Sequence, residues 1–400
     1  MAALLATATV TGALAGLATS AFIWLVQEGT KLVWTDLPEH FDVDPFWSWW
    51  LFAVPLVGAL LVGLTQRTIG PYPMPLEQAI ATWRRGESLP ASAAPRTFVN
   101  SLIVLVMGGP VGFEAALTGI IGGSASWISG RVGAAGRLVR QAWGAERVEG
   151  LPHALRTLPY WLAAVAGLVA YRSSPFGGID LGFRYAAFTD ELGGAEVAVA
   201  IAASAVLVVP VAWAFSVVSR AEVAPWSSRR PELTALAGAL VFVLMALGSQ
   251  YVLFSGQQAI QHLDGLGTGT LVYLTFAKWA ALVVALAAGW RGGPIFPMYV
   301  AAASTAVLIA HATDVRTDVV VVAALAGLGV VVLKGNIPAA LVLTLYVAPI
   351  SYAGVILIGA IAGAAALAVA RSAGILPPVP DEEAPGDPGG AEDGAAAASS

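Results

Sequence analysis

The sequence contains no cysteine, four histidines and five methionines among 400 residues, and only 11% of its side chains are charged. Without cysteine there is no disulfide framework, no thiolate metal site and no Cys nucleophile. The histidines, His40, His153, His262 and His311, are scattered and form no His-Glu-x-x-His pair, so that type of zinc centre is excluded. No Gly-x-x-x-x-Gly-Lys-Ser/Thr loop occurs, which disfavours ATP-driven pumping by this chain alone. Gly122-Gly123-Ser124-Ala125-Ser126 departs from a nucleophile elbow at its last position, so an intramembrane serine protease has little support. A net charge of −5 offers no footprint for nucleic acid. Neither a cofactor nor an enzymatic activity is expected.

What is abundant is apolar surface: 58% of residues are hydrophobic and the mean hydropathy is +0.77. That is too apolar for a soluble chain of this length, so the bilayer must be its solvent. Continuous apolar runs at 3–25, 49–64, 195–217, 233–253, 271–289 and 353–370 match the length of membrane-spanning helices. Barrel strands would alternate in polarity, and these runs do not. The class is therefore an all-α polytopic membrane protein, with membrane lipid as an obligatory partner. The first run lacks a basic n-region, its first cation being Lys31, which marks it as a retained span and not a cleaved signal. Three Arg-rich connections, around Arg67–Arg96, Arg131–Arg147 and Arg220–Arg230, are expected in the cytoplasm, and the acidic segment 27–44 outside. A bacterial plasma membrane is the expected location.

Residues 375–400 turn abruptly to Pro, Gly, Ala, Asp and Glu, a composition that cannot offset its ordering entropy and predicts a disordered acidic tail. Residues 1–374 are expected to form the membrane domain, as inverted repeats of roughly 1–190 and 191–374. Gly108-Gly109-Pro110-Val111 is echoed by Gly292-Gly293-Pro294-Ile295, and Ala163-Ala164-Val165-Ala166-Gly167-Leu168 by Ala323-Ala324-Leu325-Ala326-Gly327-Leu328, in the same order. Further breaks occur before Pro175 and at Asn336-Ile337-Pro338. Paired Gly/Pro-interrupted segments in two halves point to a transporter-type site at the repeat interface, where helix N-termini attract anions.

Glu114 is the sharpest candidate residue, because it is the only ionisable side chain between 99 and 130 and follows directly on a glycine-rich break. A carboxylate inside a membrane costs roughly 2.5–3.5 kcal/mol and is a functional-site hypothesis by default; the alternative is a cap on its own short helix. For the other embedded charges the sequence favours structural roles. Lys278 is expected to snorkel along its stem, Lys334 to lie near an interface, and Asp180 to pair with Arg184.

Gly112-Phe113-Glu114 followed by a small-residue helix, and Gly293-Pro294-Ile295-Phe296-Pro297, resemble motifs of the CLC family of voltage-gated chloride channels and proton/chloride antiporters. Gly70-Pro71-Tyr72-Pro73-Met74-Pro75 is similar to the family's first loop, and Arg172–Gly178 and Gly335–Ala340 to its two later helix entries. The resemblance implies a CLC-like inverted-repeat bundle of full and broken helices, and a homodimer with one pathway per subunit. It further implies transport of chloride or a similar small anion, with protons as a candidate second substrate. Glu114 would be the gate, with Gly112, Phe113, Gly293, Pro294, Ile295, Phe296 and Tyr72 around the anion. Alternatives are a fluoride-selective exporter and a non-transporting or enzymatic scaffold. The family's anion-coordinating serine falls at about Tyr72, and the region of its internal glutamate reads Gly182-Phe183-Arg184-Tyr185, without a carboxylate. Its last helix, which brings a coordinating tyrosine, has no match here; Tyr346 and Tyr352 are the available phenols.

Overall fold

The computed structural model describes residues 2–75, 78–79, 82, 90, 92–120, 134, 141, 153–176, 185, 188, 191–223 and 230–376. The expected tail from 377 onward, Asp180, the 122–126 loop and the second arginine cluster lie outside these residues.

The described chain is helical, and no strand occurs among these residues. Helix α1 (Ala2–Lys31) passes through a π turn into α2 (Leu37–His40), followed by α3 (Trp50–Thr68), α4 (Ala93–Val106), a helix over 114–120 (α5) and α6 (His153–Arg172). The remainder comprises α7 (Gly194–Val223), α8 (Pro231–Ala246), α9 (Thr268–Ala287), α10 (Ile295–Thr313), α11 (Thr317–Val332), α12 (Ile337–Val347) and α13 (Ala353–Ser372). Among the described residues six helical stretches are long and apolar enough to cross a membrane: Leu4–His40, Trp50–Thr68, Gly194–Glu222, Thr268–Ala287, Ile295–Thr313 and Ile350–Ser372. Helix α11 is the most enclosed, with every residue from Val319 to Val332 buried. A helix apolar on all sides suits such a position, where no face meets water.

Two expectations need correction. The run at 233–253 is not one span, because α8 stops at Ala246 and the chain continues as a 3-10 turn at Gln250–Val252. This exit from the helix frees the carbonyls of residues 251–254 for a partner described below. Conversely, the run after Gly292-Gly293-Pro294, not among the expected spans, is a helix long enough to cross the membrane.

The ends of the bundle are fixed by polar contacts. Arg67 at the end of α3 meets Glu232 at the start of α8 at 3.4 Å, so two of the arginine-bearing connections share one end. At the other end Asp264 accepts from Thr317 at 2.7 Å and pairs with His311 at 2.9 Å, tying the 257–265 turn to α10 and α11. Those bonds, Thr317's foremost, hold the Asp264 carboxyl below its usual range.

The alanine–glycine echo seen in the sequence becomes the same packing device twice. A Cβ on Gly12 would overlap Ala163 O and one on Gly16 would overlap Gly167 O, so α1 and α6 touch backbone to backbone. A Cβ on Gly359 would overlap Ala323 O and one on Gly363 would lie 2.7 Å from Gly327 Cα, so α11 and α13 do likewise. Close approach of small residues four apart maximises dispersion contact where lipid supplies no hydrophobic drive. Replacing Gly16 or Gly363 with Ile should therefore force these pairs apart and cost about 1–3 kcal/mol. Thermal unfolding of the purified variants in detergent measures this, and unchanged melting temperatures would show that the backbones do not need the contact.

Candidate functional site

Helix α4 ends at Val106 and the chain reverses through Gly108, whose φ of +84° suits glycine. A side chain there would also strike the Trp34 ring at 2.8 Å. Three bonds hold the reversal: Gly109 N–H to Val104 O at 2.9 Å, Trp34 Nε1 to Val106 O at 2.8 Å, and Phe254 N–H to Gly108 O at 3.2 Å. The break is thus buried in protein, as backbone freed inside a membrane must be.

The two glycine loops meet. Gly112 N–H donates to Gly293 O at 2.6 Å and Gly293 N–H to Gly112 O at 2.7 Å, an isolated antiparallel bridge. Close packing requires glycine on both sides, since a Cβ on Gly112 or Gly293 would overlap the Glu114 carboxylate and one on Gly292 would overlap Val111. Immediately beyond the bridge the two segments place Phe113 against Phe296, with ring centroids 4.8 Å apart.

Glu114 is the first residue of α5, and its side chain reaches across to α10. Its Oε1 accepts from Ile295 N–H and, at 3.2 Å, from Phe296 N–H, the first amides of α10. Helix α10 has no side-chain cap of its own at Pro294. The Glu114 carboxylate takes that role from the other half of the chain, satisfying donors that a helix start leaves unpaired and lying at the positive end of its dipole. Glu114 Oε2 is buried and has no hydrogen-bond partner.

Above this point a cavity of ≈ 700 Å³ reaches down to Phe113, lined by Phe22, Ile23, Gln27, Thr30, Phe254 and Gln257 among others. It lies at the end of the bundle that carries the 27–44 segment. No carboxylate contributes to its lining. Its wall at residues 251–254 is organised by Lys278, which is fully buried and does not snorkel as expected. Lys278 Nζ donates to the carbonyls of Tyr251 (3.0 Å), Val252 (3.0 Å), Leu253 (2.8 Å) and Phe254 (2.7 Å). Four acceptors around one nitrogen suit an ammonium, which has only donors. Among the described residues no carboxylate forms an ion pair with it.

Of the residues singled out in the sequence, Gly112, Phe113, Glu114, Gly293, Pro294, Ile295 and Phe296 are brought together. Tyr72 is engaged by α4 instead. Arg96 stacks over its ring and donates to its hydroxyl at 3.4 Å, and Asn100 holds its carbonyl at 3.2 Å. Among the described residues no hydrogen bond or ring contact joins Tyr72 to Glu114. Tyr352 is bonded to Asp318 at 2.6 Å, and Lys334 is exposed at the turn before α12. Nothing in the sequence signals the Lys278 carbonyl ring or Tyr299, a fully buried phenol on α10.

No family model matches the chain. A protein named for ion transport, YfeO of Salmonella typhimurium, is 36% identical over 103 residues, 25% of this chain and 25% of its own length. Its Salmonella newport counterpart matches to the same extent, so the chain spans about a quarter of the length of the curated relatives it matches. Among solved structures, a slow cyanobacterial Cl−/H+ antiporter is similar with a TM-score of 0.70 and 15% identity, over 93% of this chain and 95% of that one. A CLC-type fluoride/proton antiporter is similar with a TM-score of 0.62 and 15% identity, over 91% and 94%. The chain has the all-α membrane fold of the CLC antiporters.

The carbonyl ring predicts a specific cost. Lys278→Met keeps the stem and removes the donors, leaving carbonyls of 251–254 unsatisfied at about 1–3 kcal/mol for each one that water cannot reach. A lower melting temperature and faster amide exchange across residues 250–257 are expected. Wild-type stability and exchange in this variant would mean that the wall does not depend on the ammonium.

Proposed function

We propose that this chain transports a small inorganic anion, chloride being the default, along a CLC-type pathway in which Glu114 is the gate. The observation that carries this is the Glu114 carboxylate itself, held by the first amides of α10 in a glycine niche that an anion of similar charge would suit. Backbone donors at a helix N-terminus bind anions without any cationic side chain. Gly112, Phe113, Gly293, Pro294, Ile295 and Phe296 frame that position. The acid-free cavity above Phe113 and the ammonium behind its wall supply an approach favourable to negative charge. Glu114 and the ion compete for the same amides, so the side chain must leave for the ion to enter. A proton on the carboxylate weakens its hold and accompanies the swing, which is how anion and proton movements become linked.

Each subunit would carry its own pathway in a homodimer, embedded in a bacterial plasma membrane. Crosslinking in mild detergent should trap the dimer, and a monomeric species with full transport would remove it from the proposal.

Glu114→Gln tests the gate. The amide is nearly isosteric and mimics the protonated carboxyl, so anion efflux from proteoliposomes should persist, while the rise in flux expected of wild type as pH falls should largely vanish, along with any coupled proton movement. A helix cap without a gating role predicts something else: a loss of about 0.5–2 kcal/mol in stability and an unaltered pH profile in the surviving protein. Running the assay with chloride, nitrate and fluoride decides the anion, and preference for fluoride would convert the proposal into a fluoride exporter.

A further inference from the structure

Of the residues that frame the Glu114 position, Phe113 is the one that the cavity above it reaches, and neither Ile295 nor Phe296 contributes to the lining. The Phe113 ring therefore stands between the cavity and the amides of α10. It does not stand alone. Phe296, whose N–H is one of the donors to Glu114, lays its ring against that of Phe113, with centroids 4.8 Å and planes 30° apart. Both side chains are buried. At that separation the two rings are in contact and hold no water between them. The cavity that ends on this pair is itself walled in part by Phe22, Ile23, Leu105 and Leu253.

An ion that reaches the amides from this cavity has to part the two rings by its own width, and its water shell cannot come with it. Moving a charge out of water is costly unless new partners replace what is lost. The donors that hold the Glu114 carboxylate are two, Ile295 N–H and Phe296 N–H. Two amides restore little of the shell of a strongly hydrated ion and much of the shell of a weakly hydrated one. Fluoride lies at the first extreme, chloride is intermediate, and nitrate and thiocyanate lie at the second. Ring rims carry the positive end of the aromatic quadrupole, which eases a soft anion past them without replacing a tightly bound shell. The amides themselves serve any anion of suitable size, so discrimination falls to the apolar step before them.

We propose that the Phe113–Phe296 pair is a dehydrating constriction that makes the pathway select weakly hydrated anions, nitrate and thiocyanate ahead of chloride and chloride ahead of fluoride. This inference rests on the proposed function and names the substrate class of the same site. Glu114 and the rings then have separate tasks. The carboxylate determines when the amides are free, and the rings determine which ion reaches them.

The test measures efflux of thiocyanate, nitrate, chloride and fluoride from proteoliposomes, one ion at a time, in wild type and in the Glu114→Gln background, where the gate is held neutral. Nitrate should outrun fluoride by about tenfold or more, a ratio that the loss of a single polar contact on entering an apolar site already produces. Phe113→Ser removes one ring and lets water accompany the ion, so the nitrate-to-fluoride ratio should fall toward parity. Phe113→Leu keeps the entry apolar and should preserve the order. The ratio compares two ions in one protein, so a smaller folded fraction does not move it, and the wild-type order is itself a test if a variant fails to fold. Fluoride flux equal to or above nitrate flux in wild type would overturn the inference. So would an unchanged ratio in Phe113→Ser, and either result leaves anion transport past Glu114 standing. If none of the four anions moves in either background, the transport proposal fails and this inference falls with it.

Discussion

Two backbone hydrogen bonds between Gly112 and Gly293 join segments 181 residues apart in sequence, as do the bonds from Ile295 N–H to Glu114. Helices that stop inside a membrane protein must pass their freed amides and carbonyls to something other than lipid. Here each broken loop solves the other's problem. Mutual pairing needs backbones in contact, which is why glycine stands on both sides, and contact of the backbones sets Glu114 at the mouth of α10. The same glycines that allow the bridge also leave the niche that the carboxylate fills. Bridge, niche and cap are thus one constraint and not three features.

That constraint settles the electrostatics. Among the described residues no lysine or arginine is bonded to the Glu114 carboxylate, which is held by amides and a helix dipole, contributions that do not change with pH and that serve any anion of suitable size. The nearby full charge, on Lys278, is spent on four carbonyls of the cavity wall and is set back from the bridge. Fixed partial charges bind an ion without the deep well that a bare ammonium at the site would create. In the proposed pathway passage requires release as well as attraction, and a site built of amides suits both.

Legibility of these features in the sequence followed the range of the forces involved. Glu114 and the two glycine loops were readable because a lone carboxylate and a Gly-Gly-Pro break are local signals that an apolar chain cannot hide. Which helix Glu114 caps was not readable, since its own helix and α10 look equally in need of a cap. Lys278 was misjudged for a related reason. Whether an ammonium snorkels or stays depends on acceptors arriving from elsewhere, and the carbonyls of 251–254 become available only because α8 ends at Ala246, within a run that looked like one continuous span. Tyr299 left no trace at all, because an aromatic residue on an apolar helix reads as packing.

The bundle around the site suits the gating proposed for Glu114. In each half a pair of helices touches backbone to backbone through small residues, α1 with α6 and α11 with α13. Such contacts are rigid, since there is no long side chain to adjust, and interdigitated cores are bistable more than they are compliant. Glu114 hangs from the bridge by a single side chain whose second oxygen has no partner. Rotation of that side chain breaks two hydrogen bonds to α10 and disturbs neither the Gly112–Gly293 pair nor the helix contacts. In the proposed mechanism the moving part is thus confined to one carboxylate, and the amides it vacates stay in place for an anion.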